Sequence, residues 1–186
     1  MIDVFSAFGL SSAAGLNAWL PLLIVGLTAR YTDLIALSEP WNALESTWVL
    51  GVLGVLLAIE ITVDKIPAVD TVNDVIHTVV RPAAGAVLFA SSSNVVSDVN
   101  PALAMVCGLL VAGGVHAAKA TARPVITAST AGIGNPVVSL LEDIVSAITA
   151  IVSIVLPVLA TVVIVILLAL FAWWFFRRRR RRLSEA

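Results

Sequence analysis

The sequence predicts an all-α, polytopic helical membrane protein, and three observations carry that prediction. Of its 186 residues, 60% are hydrophobic and only 12% are charged, with a mean hydropathy of +1.04. A soluble domain runs at about 45–50% apolar and about 25% charged. The apolar residues lie in stretches separated by short polar segments. Six arginines, Arg177–Arg182, directly follow the last stretch, as expected of a cytoplasmic stop beside anionic lipid head groups. A soluble enzyme, a disordered chain and a coiled coil all fit this composition poorly. One membrane domain, residues 1–176, and a cytoplasmic polybasic tail, 177–186, are expected.

The formal net charge of −1 conceals an asymmetry. Ahead of the arginine run stand only Arg30, Lys65, Arg81, Lys119 and Arg123 against eleven acids, so the body is −6 (5 minus 11) and the tail +5. The run abuts a span rather than lying on a folded basic face, so its expected partner is the bilayer, not nucleic acid. Cys107 is the single cysteine; it excludes an intrachain disulfide, and nothing charged nearby activates it. Met1-Ile2-Asp3 carries an acid where a basic n-region would stand, so no secretory signal is expected.

The elements are read in order. Val4 to about Thr28 is apolar, interrupted at Ser11-Ser12-Ala13-Ala14-Gly15-Leu16-Asn17. Residues 31–46 are polar, and a second stretch runs from Trp48 to about Val63. Tyr31, Trp41 and Trp48 suit one interface, Trp173 and Trp174 the other. In residues 68–81, Val72, Val75, Ile76, Val79 and Val80 recur at helical spacing opposite Asp70, Asn73, Asp74, His77 and Arg81. This predicts an amphipathic helix at the interface or packed on the bundle, ended by Pro82. Residues 83–98 make a weak span. Pro101 to Ala120 makes a good one, with Gly108, Gly113 and Gly114 allowing close helix approach. A small and polar stretch, 127–136, precedes the apolar run 144–176, which is one kinked helix or two elements meeting near Pro157. About six membrane-embedded helices with both termini cytoplasmic place most basic residues inside; five helices would move four of them outside, against the usual bias.

Two segments echo each other. Ser12-Ala13-Ala14-Gly15-Leu16-Asn17 recurs as Ser129-Thr130-Ala131-Gly132-Ile133-Gly134-Asn135, and Gly54–Ala58 aligns with Gly108–Ala112. The echo reads as an internal repeat or as shared Gly, Ala, Val and Leu composition. In a repeat, Gly15, Asn17, Gly132 and Asn135 would mark broken helices, whose freed main chain is tolerated only in protein or beside a water-filled cavity.

Ionisable residues in apolar stretches are costly and mark candidate sites. Glu60 and Asp64 share one helix face, as a cation or proton site or as ion-pair partners of Lys65, Lys119 or Arg123. Asp70, Asp74 and His77 form a stripe that could hold a divalent ion, but an N-cap at Asp70 and a solvated face explain it without metal. His116 and Lys119 complete the set with the acidic step Glu142-Asp143, which either faces water or closes a site with Arg81 or Arg123. No nucleophile elbow, zinc-protease helix or phosphate loop is present, so neither an enzyme nor a cofactor is expected; an intramembrane lipid hydrolase using His77 or His116 is the minor enzymatic alternative.

An ordered series of motifs resembles a known family. It comprises Gly15-Leu16-Asn17-Ala18, Glu60 with Asp64-Lys65-Ile66-Pro67 and Asp70, Asp74-Val75-Ile76-His77, and Arg81-Pro82-Ala83-Ala84-Gly85. His116, Lys119, Arg123-Pro124, Gly132-Ile133-Gly134-Asn135-Pro136, Ser139 and Glu142-Asp143 follow. The series is similar to the bacterial membrane family called domain of unknown function 4126, over nearly the whole chain. The resemblance implies a multi-helix integral membrane protein and brings no reaction or substrate with it.

The expected function is a small transporter or channel-like protein for an ion or small polar solute in the cell membrane. Gly15, Asn17, Glu60, Asp64, Gly132 and Asn135 would line the path. Asp70, Asp74, His77, Arg81, His116, Lys119, Glu142 and Asp143 would form a cytoplasmic mouth or gate. A homo-oligomer would suit so short a chain. The alternative is a membrane scaffold or lipid-binding module without transport.

Overall fold

The computed structural model describes residues 4–63, 67–92 and 100–156, the side chains of 67–74 excepted. Among these residues it is all-helical, as a helical membrane protein should be: α1 is Val4–Leu16, α2 Trp19–Tyr31, α3 Thr47–Val63, α4 Pro67–Ser92, α5 Pro101–Thr130 and α6 Asn135–Leu156. A 3-10 turn, Trp41–Glu45, leads into α3. The stretches Val75–Ser92, Pro101–Thr130 and Asn135–Leu156 are long and apolar enough to cross a membrane. α1, α2 and α3 are shorter apolar helices.

α1 runs between α4, α5 and α6. Its buried residues include Ser6, Ala7, Leu10, Ser11, Ala13, Ala14 and Gly15, side chains small enough for neighbouring backbones to approach. The main core joins Leu10, Ala13 and Ala14 to Leu22 and Val25 of α2, Leu53 of α3, Ala84 and Leu88 of α4, Ala112 of α5, and Ala150 and Ile154 of α6. A smaller cluster holds Ala7, Phe89, Ala90 and Ala104, with Phe8 edge-on to Phe89 at 5.1 Å between ring centroids. α4 and α5 pack closely through two glycines. A Cβ on Gly85 would stand 2.8 Å from the Gly108 carbonyl oxygen, and one on Gly108 2.6 Å from the Phe89 Cβ.

Several expected boundaries move. The first break falls at Asn17-Ala18 and not within Ser11–Gly15, which remain helical. The serine hydroxyls use main-chain carbonyls without opening the helix: Ser11 donates to Gly85 at 2.9 Å and Ser12 to Phe8 at 2.8 Å. Gly15 serves packing, since a Cβ there would stand 2.6 Å from the Ala112 carbonyl oxygen.

Pro82 does not end a helix; it lies inside α4, so residues 68–81 and 83–92 are one element. Proline forfeits one main-chain bond, and the packing of Gly85 on Gly108 holds the helix beyond it. The amphipathic face is inverted relative to a water-facing helix. His77 and Arg81 are buried, while Val75 and Val79 are 69% and 72% exposed. Apolar residues outside and polar ones inside suit a lipid surround.

α5 likewise passes Pro124 and reaches Thr130. Asn100 caps it, accepting from the Ala102 N–H at 2.9 Å, with Pro101 in the first turn, where a missing N–H costs nothing. The turn that ends it places Ala131 at φ 50° and Gly132 at φ 83°, a left-handed reversal that glycine adopts freely. α6 then starts at Asn135, nine residues before the expected apolar run at 144. Whether that run is one helix or two is a question about residues beyond 156, outside those described.

Candidate functional site

α5 supplies the seam on which the polar residues assemble. Ala104, Gly108, Ala112, His116, Lys119 and Arg123 are all buried and recur at steps of three or four, so they share one helix face. Its first half is small and apolar and packs on α4 and α1. Its second half, about 16 Å from Ala112 to Arg123 at 1.5 Å per residue, carries one imidazole and two cations into the bundle.

The first polar group centres on Arg81, which is fully buried. Its Nη2 donates to Glu60 Oε1 at 3.0 Å, joining α4 to α3. Its Nη1 lies 3.0 Å from His116 Nδ1 on α5. A guanidinium has no acceptor, so Nδ1 must accept. The ring is then the neutral tautomer protonated on Nε2, which donates to Thr78 Oγ1 at 3.2 Å. His77 Nδ1 stands 3.5 Å from the same Glu60 oxygen, and its ring meets Trp19 edge-on at 6.3 Å.

The second group lies further along the seam. Lys119 Nζ is 2.8 Å from Glu142 Oε2, and Arg123 Nη2 is 3.2 Å from the same oxygen. Arg123 also donates to Ser139 Oγ at 3.3 Å. Lys119 donates in addition to the carbonyl oxygen of Leu16 at 3.3 Å, the last residue of α1. Asn17 then bridges the break. Its side-chain oxygen accepts from the N–H groups of Trp19 at 3.1 Å and Leu20 at 2.9 Å, capping α2. Its Nδ2 donates to Asp143 Oδ1 at 2.9 Å. Ser146 Oγ of α6 donates to Ala13 O one turn earlier at 2.9 Å.

The structure therefore redistributes the residues singled out in the sequence. Glu60 joins His77, Arg81 and His116 in one group, while Asn17, Lys119, Glu142 and Asp143 form the other. Asn135 is buried, but its amide pairs with Thr127 of α5 at 3.0 Å, so the two echoing asparagines do different work. Gly15 and Gly132 act in packing and in a turn. The second echo aligns unlike positions: nothing lies within 4 Å of a Cβ placed on Gly54, whereas Gly108 is tightly packed. Asp64 and the side chains of Asp70 and Asp74 lie outside the described residues, as do Lys65 and Arg177–Arg182. Ser139 and Thr78 were not among the site candidates; Arg123 was expected only as a partner of the acids, and it does pair with Glu142. The signal for Arg123 was its place four residues after Lys119, which puts both cations on one face.

No curated protein and no solved structure matches the chain. The family model described as Domain of unknown function (DUF4126) matches residues 4–178, and the chain belongs to that family.

Proposed function

We propose that the chain is a small multi-pass transporter or channel-like protein for an ion or small polar solute, and not an enzyme. The observation that carries this reading is the meeting of a helix break with buried charge. α1 stops inside the bundle at Leu16, and its terminal carbonyl is held by the ammonium of Lys119, itself paired with Glu142. Ionisable groups inside a membrane domain are costly and are functional-site candidates by default. Broken helices that present main-chain ends to charged side chains are a recurrent transporter device. In this picture the Lys119 group is the gate beside the break. The Glu60–Arg81–His116 group is the element whose pairing changes as the bundle rocks. The chain would reside in the cell membrane with both termini cytoplasmic, Arg177–Arg182 on anionic lipid, and would function as a homo-oligomer.

The test is flux through proteoliposomes of the purified chain, measured for monovalent cations, divalent cations, protons and small anions. Transport is expected for at least one class and is expected to fall in Asn17→Ala and Glu60→Gln. Unchanged flux in both variants removes these residues from the pathway; no flux in any class removes the reading.

One observation favours the alternative, a scaffold or lipid-binding module. Glu60 is paired with Arg81, Glu142 with Lys119 and Arg123, and Asp143 with Asn17, as a purely architectural lock would require. Cysteines placed at 17, 60 and 135 in a Cys107→Ala background separate the two. Labelling by a water-soluble thiol reagent supports a path, and protection supports the scaffold.

A further inference from the structure

We infer that Lys119 and Arg123, the latter oriented by Ser139, form an oxyanion seat, and that the Glu142 carboxylate is its built-in occupant. The inference rests on the transport reading and gives its substrate chemistry: a carboxylate, phosphate or sulfate group rather than a cation.

The geometry is that of an anion site already filled. Lys119 and Arg123 lie one helical turn apart on the buried face of α5, and two like charges at that spacing repel. Both nevertheless converge on one atom, Glu142 Oε2, at 2.8 and 3.2 Å. Arg123 Nη2 is also 3.3 Å from Ser139 Oγ. Two cations around one carboxylate oxygen is a donor set by which proteins hold oxyanions, and Ser139 Oγ, accepting from Arg123 Nη2, helps to fix the guanidinium. The burial is graded in the sense an exchange requires. The cationic side chains are 3% and 7% exposed, while Glu142 is 15% exposed. The donors are thus fixed in the interior and the occupant sits on the outer side, on α6. Glu142 could swing away as an incoming anion takes its place, leaving the two cations still compensated. The Leu16 carbonyl opposite Lys119 and the neighbouring Asp143, tied to Asn17, limit the negative charge the seat tolerates. A singly charged oxyanion is therefore favoured over a multiply charged one.

Glu60 supports the assignment by contrast. It is the acid expected to attract a cation, yet it is buried against Arg81 and offers a passing cation no net negative field.

The test is equilibrium dialysis of the full chain in neutral detergent against radiolabelled acetate and, separately, inorganic phosphate. Glu142→Gln removes the occupant and keeps the shape, and is expected to bind acetate at least about tenfold more tightly than the parent, a gain of about 1.4 kcal/mol. Adding Lys119→Gln or Arg123→Gln is expected to abolish that gain. Glu142→Asp, whose carboxylate is drawn back by one methylene, gives a smaller gain in the same direction and serves if Glu142→Gln does not fold. Parallel dialysis in nanodiscs of phosphatidylcholine with and without phosphatidylglycerol separates the two sources of such a group. Acetate binding indifferent to phosphatidylglycerol assigns the seat to a soluble anion; displacement of acetate by phosphatidylglycerol assigns it to a lipid head group. A folded Glu142→Gln protein that binds neither probe more tightly than the parent overturns the seat, even if the parent transports another solute. Binding by Glu142→Gln with no flux through the parent keeps the seat and removes the transport reading.

Discussion

Lys119 donates a hydrogen bond at 3.3 Å to the carbonyl oxygen of Leu16, the residue at which α1 stops. A helix ending inside a bundle leaves carbonyls without intrahelical partners, and in an apolar surround each needs another donor. The chain meets this need with a cation from α5, so the break and the charge are one feature. Lys119→Met is expected to leave the carbonyl unsatisfied and to destabilise the protein by about 1–3 kcal/mol. Lys119→Arg, which keeps a donor and a charge, is expected to lose less. Thermal unfolding in detergent, followed by tryptophan fluorescence, checks the order; equal midpoints for the two variants would show that the contact does not hold the break.

Arg81 and Glu60 give a second expectation. Both side chains are within 2% of full burial, and removing one partner of such a pair strands a charge at a cost of about 3–5 kcal/mol. Arg81→Met and Glu60→Gln singly are expected to lower stability substantially. The double variant is expected to recover part of the loss, because neither residue then leaves an uncompensated charge. A double-mutant cycle on unfolding free energies reads the coupling directly. Strictly additive losses would mean that the two groups do not depend on each other.

At the other side of the break, Asn17 both caps α2 and holds Asp143. Asn17→Ala removes the cap and is expected to cost about 1–2 kcal/mol. Asn17→Asp keeps a capping oxygen but replaces the amide now 2.9 Å from Asp143 Oδ1 with a second carboxylate. It is therefore expected to be the less stable of the two at neutral pH, despite being the better cap in isolation. The discriminating measurement is the midpoint of each with and without Asp143→Asn, which should rescue Asn17→Asp and not Asn17→Ala.

Much of this arrangement was legible in the residues, and the misreadings share a cause. The all-helical membrane class, the start of α3 near Trp48, the span from Pro101 and the special status of Asn17 follow from composition, periodicity and residue chemistry. Proline rules calibrated on isolated helices put an end at Pro82, but tertiary packing decided otherwise, with Gly85 fitted against Gly108. Of the polar stripe expected on α4, His77 and Arg81 are described, and both are buried. Which way it turned depended on the solvent, and lipid outside sends His77 and Arg81 inward. Ser11 and Ser12 looked like helix breakers because a sequence does not show which main-chain carbonyl a hydroxyl will find. The convergence of Lys119 and Arg123 on Glu142 joins α5 to α6 across a turn within the expected small and polar stretch 127–136, but Glu142 and Asp143 are already inside α6, which expectation started at 144.

The glycines provide the last expectation, because two that align in the sequence echo differ completely in surroundings. A methyl group on Gly108 would collide with the Gly85 carbonyl oxygen and come within 2.6 Å of the Phe89 Cβ, whereas one on Gly54 would meet nothing within 4 Å. Backbone and a Cβ in the α4–α5 contact cannot yield without separating the helices, so Gly108→Ala is expected to cost about 1–3 kcal/mol as overpacking. Gly54→Ala faces no such contact and gains helix propensity, about 0.5–1 kcal/mol in a helix interior. The same substitution is thus expected to lower the unfolding midpoint at 108 and leave it level or raise it at 54. Equal effects at both positions would contradict the close packing of α4 on α5, and with it the framework that aligns His116, Lys119 and Arg123 on one buried face.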